Sequence, residues 1–415
     1  MAGNAPIATG VSHVYPIGSR LNEHGRLEVG GCDVVELAEQ FGTPAYVYAE
    51  DDIRARARQY VDAFKARTDH FEVVYASKAF PCTAAYRLLV EEGLSCDVAS
   101  GGELFLALKG GFPPERIYLH GNNKSDAEIE YAVEQGVGHI VADSFDELDR
   151  LERIAPGQKV LLRVTPGIKP ETHAFISTGQ EDSKFGFGVD DVPRAIERID
   201  RLELCGLHAH IGSQVFDLGP YEKLAEVLSS MGDYPLLNLG GGLGVAYTVD
   251  QQPLPVEDYV DTLMRGAPEG VTVLCEPGRS LVANAGVTIY RVGTVKRIPS
   301  VRTYVAVDGG MSDNLRPMLY GARYEAEIAD RFGGSDECTI AGKHCESGDI
   351  LVTDALLDDP RPGDVLVTPA TGAYGHAMAN NYNGIPRPPV IFCSGGDARV
   401  VVRRETYDDL AVRDV

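Results

Sequence analysis

Across 415 residues no two cysteines stand as a CxxC pair; the eight fall at 32, 82, 96, 205, 275, 338, 345 and 393. That scatter excludes a zinc ribbon and a small disulfide scaffold, and it suits free thiols in a reducing compartment. Seven of the eight are expected as small core residues, with Cys345 set apart. No apolar stretch approaches the length of a membrane span, and the opening MAGNAPIATGVSHVYP lacks a basic start followed by an apolar core. Positive charge is scarce: 38 Lys and Arg stand against 61 Asp and Glu, a net charge of -23. Such a chain is a poor partner for nucleic acid or an anionic membrane, so the expectation is a cytoplasmic protein that binds neither. Internal repeats and low-complexity linkers are missing as well.

What is present is an alternation. EVVYASKAF, 72 to 80, is a β-branched and aromatic run that delivers Lys78 to a strand terminus. Similar runs recur near 94 to 98, 116 to 120, 138 to 142, 159 to 164, 203 to 210, 235 to 240 and 271 to 276. Stretches with helical spacing lie between them, for example TAAYRLLVEEG after the first run. Eight such units over roughly 230 residues predict a (β/α)8 TIM-type barrel, placed at 46–285. Lys78, Asp97, Asn122, Asp143, Arg163, His210, Gly240 to Gly242 and Glu276 all fall at or just past run ends, where barrels build active sites. An open doubly wound sheet would rarely do this. From 286 to 415 the chain becomes short β-rich segments separated by Gly, Pro and Asp, which predicts an antiparallel β-domain. The strand-like pieces of 1–45 are expected to join it.

Several stretches carry chemistry. A desolvated lysine at a barrel mouth has a lowered pKa and can attack a carbonyl, although Lys78 alone also reads as an ordinary surface lysine. NLGGGLGV, 238 to 245, is either a phosphate cradle or a tight turn, and its spacing is not the dinucleotide fingerprint. In CEPGRS, 275 to 280, Glu276 could hold a proton on a heterocyclic nitrogen and Arg279 could bind phosphate or carboxylate; a structural Glu-Arg pair is the alternative. HAHIGSQ, 208 to 214, puts His208 and His210 on one strand face. No third ligand of matching pattern stands nearby, so no metal is expected; His210 reads as an imidazole stacked on an aromatic cofactor and His208 as a satisfied core histidine. In HCESGD, 344 to 349, a Cys-Glu pair suits proton donation and recognition of an amine. ATGAYGHAMANNYNG, 370 to 384, has the texture of a binding loop, and PETHAFISTGQEDSKFG, 170 to 186, is the candidate for a mobile lid.

Taken in order, YASKAF, SCDVASGGEL, HGNNKSD, HAHIGSQ, NLGGGLGV, CEPGRS, VDGGMSDNLRPMLYG, HCESGD and GAYGHAMANNYN span nearly the whole chain. Together they resemble the fold-type III pyridoxal-phosphate decarboxylases, most closely the diaminopimelate-decarboxylase branch. The resemblance implies pyridoxal 5'-phosphate as cofactor and a homodimer whose active sites lie at the subunit interface. By the same resemblance Lys78 binds the cofactor covalently, His210 stacks on its ring, and Ser213, Gly240, Gly241, Gly242, Gly278 and Arg279 belong to its binding site. Glu276 corresponds to the acid facing the ring nitrogen. Arg279, Arg316 and Tyr320 correspond to substrate contacts, and Tyr374 to a tyrosine shared by cofactor and substrate. Cys345 corresponds to the proton donor from the neighbouring subunit, and Glu346 to the acid that reads the distal amino end. YASKAF departs from the commoner YAVKAN, and Ala209 stands where many relatives carry cysteine; neither removes a catalytic group. The implied reaction is decarboxylation of meso-2,6-diaminopimelate to L-lysine. Decarboxylases of ornithine, arginine, carboxynorspermidine or a carrier-bound glutamyl group are the nearest rivals, and a non-catalytic cofactor binder is the rival of another class.

Overall fold

The computed structural model describes residues 10–168 and 183–415. Most of the stretch expected to act as a lid, up to residue 182, therefore lies outside the described residues. The chain divides into two compact units, Arg54–Val245 with Pro253–Ser280, and Met1–Ile53 with Ala246–Gln252 and Leu281–Val415.

The first unit is the barrel. Its parallel strands are β1 (Phe71–Ala76), β2 (Ser95–Val98), β3 (Ile117–Leu119), β4 (His139–Ala142), β5 (Lys159–Thr165), β6 (Glu203–His208), β7 (Leu236–Asn238) and β8 (Thr272–Cys275). β1 pairs with β8 and β4 pairs with β5, so the sheet closes on itself. Val74, Tyr118, Val141, Leu161 and Leu274, from five different strands, fill the interior and are 0–1% exposed. Five such side chains lose most of their apolar surface to one another, each worth about 1.5–3 kcal/mol. Gly206 lets β6 approach β7 closely, because a Cβ there would stand 2.1 Å from the Leu236 carbonyl oxygen.

Local sequence also starts the helices that return the chain. Ser100, Ser125 and Ser144 follow β2, β3 and β4, and each side chain accepts a hydrogen bond from the backbone N-H of a glutamate three residues on, Glu103, Glu128 or Glu147. This S-x-x-E pattern satisfies N-terminal donors that the helix itself leaves unpaired.

The second unit is β-rich. A long strand, Gly286–Ile298, runs antiparallel to Ala45–Ala49, Val365–Thr368 and Arg302–Val307. Two pairings in the same sheet are parallel, Arg302–Val307 with Asp336–Ala341 and Ala45–Ala49 with Val390–Ser394, so the sheet is mixed rather than purely antiparallel. Arg20–Leu21, Leu27–Val29 and Cys32–Asp33 pair in a three-stranded sheet of their own. The apolar faces meet around Val29, Val34, Val47, Ile289, Val367 and Ile391, each fully buried.

Candidate active site

The barrel's C-terminal mouth is built from strand ends. Lys78 sits in the single 3-10 turn Ser77–Ala79 that follows β1, and its side chain is exposed. The flanking Ser77 and Ala79 are buried. Asp97 lies within β2 and is buried. Glu276 follows β8 directly and is 7% exposed.

Glu276 is the centre of a donor cluster. Asn238, the last residue of β7, donates through Nδ2 to Oε1 at 2.7 Å, and His208, the last residue of β6, lies with Nε2 3.1 Å from Oε2. His120, just past β3, brings Nε2 to 3.0 Å from Oε1, without the alignment of a good hydrogen bond. The two imidazoles meet edge to face at 4.8 Å. Burial pushes the Glu276 carboxyl up, but the two imidazoles outweigh it and hold the group well below the usual carboxylate range. Burial lowers His208 to about 4 and also lowers His120, with the Glu276 carboxylate pulling the other way in both. Asp97 goes the other way: burial first, then the Glu276 charge, raise it well above its ordinary value, with Lys78 pulling against them. The two neighbouring acids are thus pushed in opposite directions.

His208 is buried; its Nε2 faces the Glu276 carboxylate, and its Nδ1 has no hydrogen-bond partner among the described residues. His120 and Asn238 were not singled out by sequence at all, although both lie at strand ends where the other mouth residues fall. His120, His208 and Glu276 place three ligand-type atoms within 4.8 Å of one another. The third member comes from 88 residues before His208, which is why no local pattern announced it.

The glycine run is tied to this cluster. Asn238 Oδ1 accepts from Gly240 N at 3.0 Å, and Glu276 N donates to the Gly240 carbonyl at 2.7 Å. Gly240 and Gly242 have φ of +65° and +115°, and a Cβ on Gly241 would fall 2.0 Å from the Glu276 carbonyl oxygen. Only glycine fits that approach. His210, half-buried two residues past β6, accepts from Gly241 N through Nδ1 at 3.3 Å. Burial and the Lys78 charge hold its imidazole neutral, well below the ordinary histidine value. Arg279 donates from Nε and Nη2 to Ser213 Oγ at 3.3 and 3.0 Å. Gly278 packs on Ala76, where a Cβ would come within 2.9 Å of that side chain.

In the β-rich unit the remaining predicted residues fall in three places. Arg316 is 5% exposed; its guanidinium lies 4.4 Å over the Tyr247 ring and donates to Tyr324 Oη. Tyr320 ends the same short helix, Arg316–Tyr320. Cys345 and Glu346 are exposed on a loop, and Cys345 is the single exposed cysteine among the eight. Tyr374 holds a left-handed φ of +64°, uncommon for a residue with a side chain and found where a site over-determines it.

Residues 50–283 match the family model for the pyridoxal binding domain of pyridoxal-dependent decarboxylases. The diaminopimelate decarboxylase of Bacillus subtilis is 48% identical, over 96% of this chain and 97% of its own length. That of Actinosynnema pretiosum is 45% identical over 100% and 98%. The chain belongs to the diaminopimelate decarboxylase family. The fold agrees: the crystal structure of the M. jannaschii diaminopimelate decarboxylase in complex with L-lysine superposes with a TM-score of 0.90 at 35% identity, covering 96% of this chain and 97% of that one.

The family's cofactor is pyridoxal phosphate, and the mouth residues fit it. An accessible amine, an ionised buried carboxylate, a neutral imidazole and a run of glycines beside Arg279 are the donors and acceptors that an aldehyde, a pyridine nitrogen, an aromatic ring and a phosphate require.

Proposed function

We propose that this chain decarboxylates meso-2,6-diaminopimelate at its D-centre, giving L-lysine and carbon dioxide, with pyridoxal 5'-phosphate at the barrel mouth. The observation that carries this reading is the cluster around Glu276, reached from the strand that delivers Lys78, in a chain matching diaminopimelate decarboxylases over 96–100% of its length. When bound, the cofactor supplies an electron sink for the pair left at Cα by departing carbon dioxide. The protein's own groups do the rest. Lys78 would hold the cofactor's aldehyde end through its amine. Glu276 would hold a proton on the ring nitrogen, the end of the ring that takes up the electron pair. His210 would lie against the ring, and Ser213, Gly240, Gly241, Gly242, Gly278 and Arg279 would hold the phosphate end.

The chain works as a homodimer with shared sites. The exposure of Cys345 and Glu346 supports this, because a proton donor that faces outward in its own chain suits a neighbour's site. Cys345 protonates Cα and Glu346 takes the ammonium of the retained L-centre. Arg279, Arg316, Tyr320 and Tyr374 are the groups assigned to its carboxylate. A substrate without that carboxylate forgoes a charge-assisted contact with these side chains, a loss on the order of a few kcal/mol, or about a hundredfold in rate.

Turnover of the purified protein with pyridoxal phosphate, following carbon dioxide and amine product, tests the reading. L-Lysine is expected from meso-diaminopimelate, with at least a hundredfold lower kcat/KM for L-ornithine, L-arginine and L-lysine as substrates. Ornithine or arginine consumed as fast as meso-diaminopimelate would overturn the assignment of the arginines.

A further inference from the structure

The exposed loop that carries Cys345 and Glu346 is fixed from below by one buried carboxylate. Asp349 is 3% exposed. Its Oδ2 accepts from His344 N at 3.0 Å and lies 2.7 Å from His344 Nδ1, while its Oδ1 accepts from Met311 N at 2.7 Å. Its backbone N-H reaches back to the Glu346 carbonyl at 3.1 Å, closing the turn. The neighbouring chain is shaped to admit it: a Cβ on Gly342 would stand 2.0 Å from Asp349 Oδ2, and one on Gly310 would stand 2.5 Å away. The His344 ring lies parallel to Tyr382 at 6.0 Å, and Cys345 N donates to Asn383 Oδ1 at 2.8 Å.

Asp349 therefore joins two segments far apart in sequence. One, through Met311, leads into the helix that starts with Arg316 and ends with Tyr320. The other is the loop bearing Cys345 and Glu346. We propose that Asp349, acting through His344 and Met311, is a positioning residue for proton delivery: it fixes the Cys345–Glu346 loop against the segment that leads to Arg316. The proposal rests on the roles given above to Cys345, Glu346 and Arg316. Asp349 touches no reacting atom; it sets where the thiol stands. A charged acceptor suits three N-H donors at once, and Asn cannot replace it, because its Nδ2 has no lone pair to offer them.

The test uses the holoenzyme. Asp349→Asn is expected to lower kcat at least tenfold with KM within about threefold, and to raise the solvent deuterium isotope effect on kcat as proton delivery becomes slow. The rate of Cys345 alkylation by iodoacetamide is expected to change in the same variant. Should that variant fail to fold, His344→Ala is expected to show the same pattern. His344→Asn, whose Nδ2 can replace Nδ1 as donor to Asp349, recovers most of the loss. A kcat within twofold of wild type, or a fall in kcat with the isotope effect and alkylation rate unmoved, overturns the proposal. Cys345→Ala keeps the two readings apart: if it retains full kcat, the role of Cys345 itself is wrong, and Asp349 is not what failed.

Discussion

Asp313 is an acid buried outside the barrel mouth. It is 1% exposed, and it accepts from Tyr290 Oη at 2.6 Å and from Gly310 N at 2.8 Å. Burial outweighs these bonds and raises its carboxyl from 3.8 to about 7. A raised folded-state pKa contributes stability that is full below the unfolded value and is lost as pH climbs to the folded one. Asp313→Asn cannot titrate. Its stability relative to wild type should therefore rise by about 2–3 kcal/mol between pH 5 and pH 7 and stay level above that, as read from urea melts at each pH. The difference isolates this group, because every other titration is common to both proteins. A difference that does not vary with pH would mean Asp313 ionises normally. At this scale sequence reading found the residues that announce themselves by position, such as Lys78 and Glu276 at strand ends. It did not find His120 and Asn238, because which side chain a carboxylate faces is set by strands that are neighbours in the closed barrel and not in the chain.

At the scale of elements the glycine run after β7 does two jobs, and one substitution separates them from a mere turn. The Gly241 position lies so near the Glu276 carbonyl that an added methyl must push the loop, the β8 end, or both. Gly241→Ala is thus expected to weaken pyridoxal phosphate binding at least tenfold, measured by titrating the cofactor's bound absorbance against a stripped protein. Unchanged affinity would assign the glycines to turn geometry alone. The eight barrel strands were legible because each is a run of β-branched and aromatic residues, and local composition decides a buried parallel strand. From the second run on, the observed bounds differ from the expected ones by at most two residues at either end; the sixth run, for instance, ends at His208 rather than 210. The S-x-x-E caps after β2, β3 and β4 are equally local. The two parallel pairings in the β-rich sheet were not legible: Ala45–Ala49 and Val390–Ser394 lie hundreds of residues apart, and a further segment of chain separates Arg302–Val307 from Asp336–Ala341. Nothing in either stretch marks direction.

The whole molecule raises the question of where Cys345 does its work. Its chain presents it to solvent beside Glu346, while Lys78 stands at the mouth of the barrel. If each active site takes Lys78 from one subunit and Cys345 from the other, two inactive variants must rescue one another. Lys78→Ala and Cys345→Ala are each expected to have at most about a hundredth of wild-type kcat, since each lacks a group that makes or breaks a bond. Random pairing of equal amounts puts about half of the dimers in the mixed class. In a mixed dimer one site lacks both groups and the other has both, so about a quarter of wild-type activity should return. Two different affinity tags, purified in sequence, isolate the mixed dimers and prove that exchange took place. Those dimers should then work at about half the wild-type rate per dimer. Mixed dimers with no more activity than the parent variants would place Cys345 in its own subunit's site, and the exposed loop would need another reason to face outward.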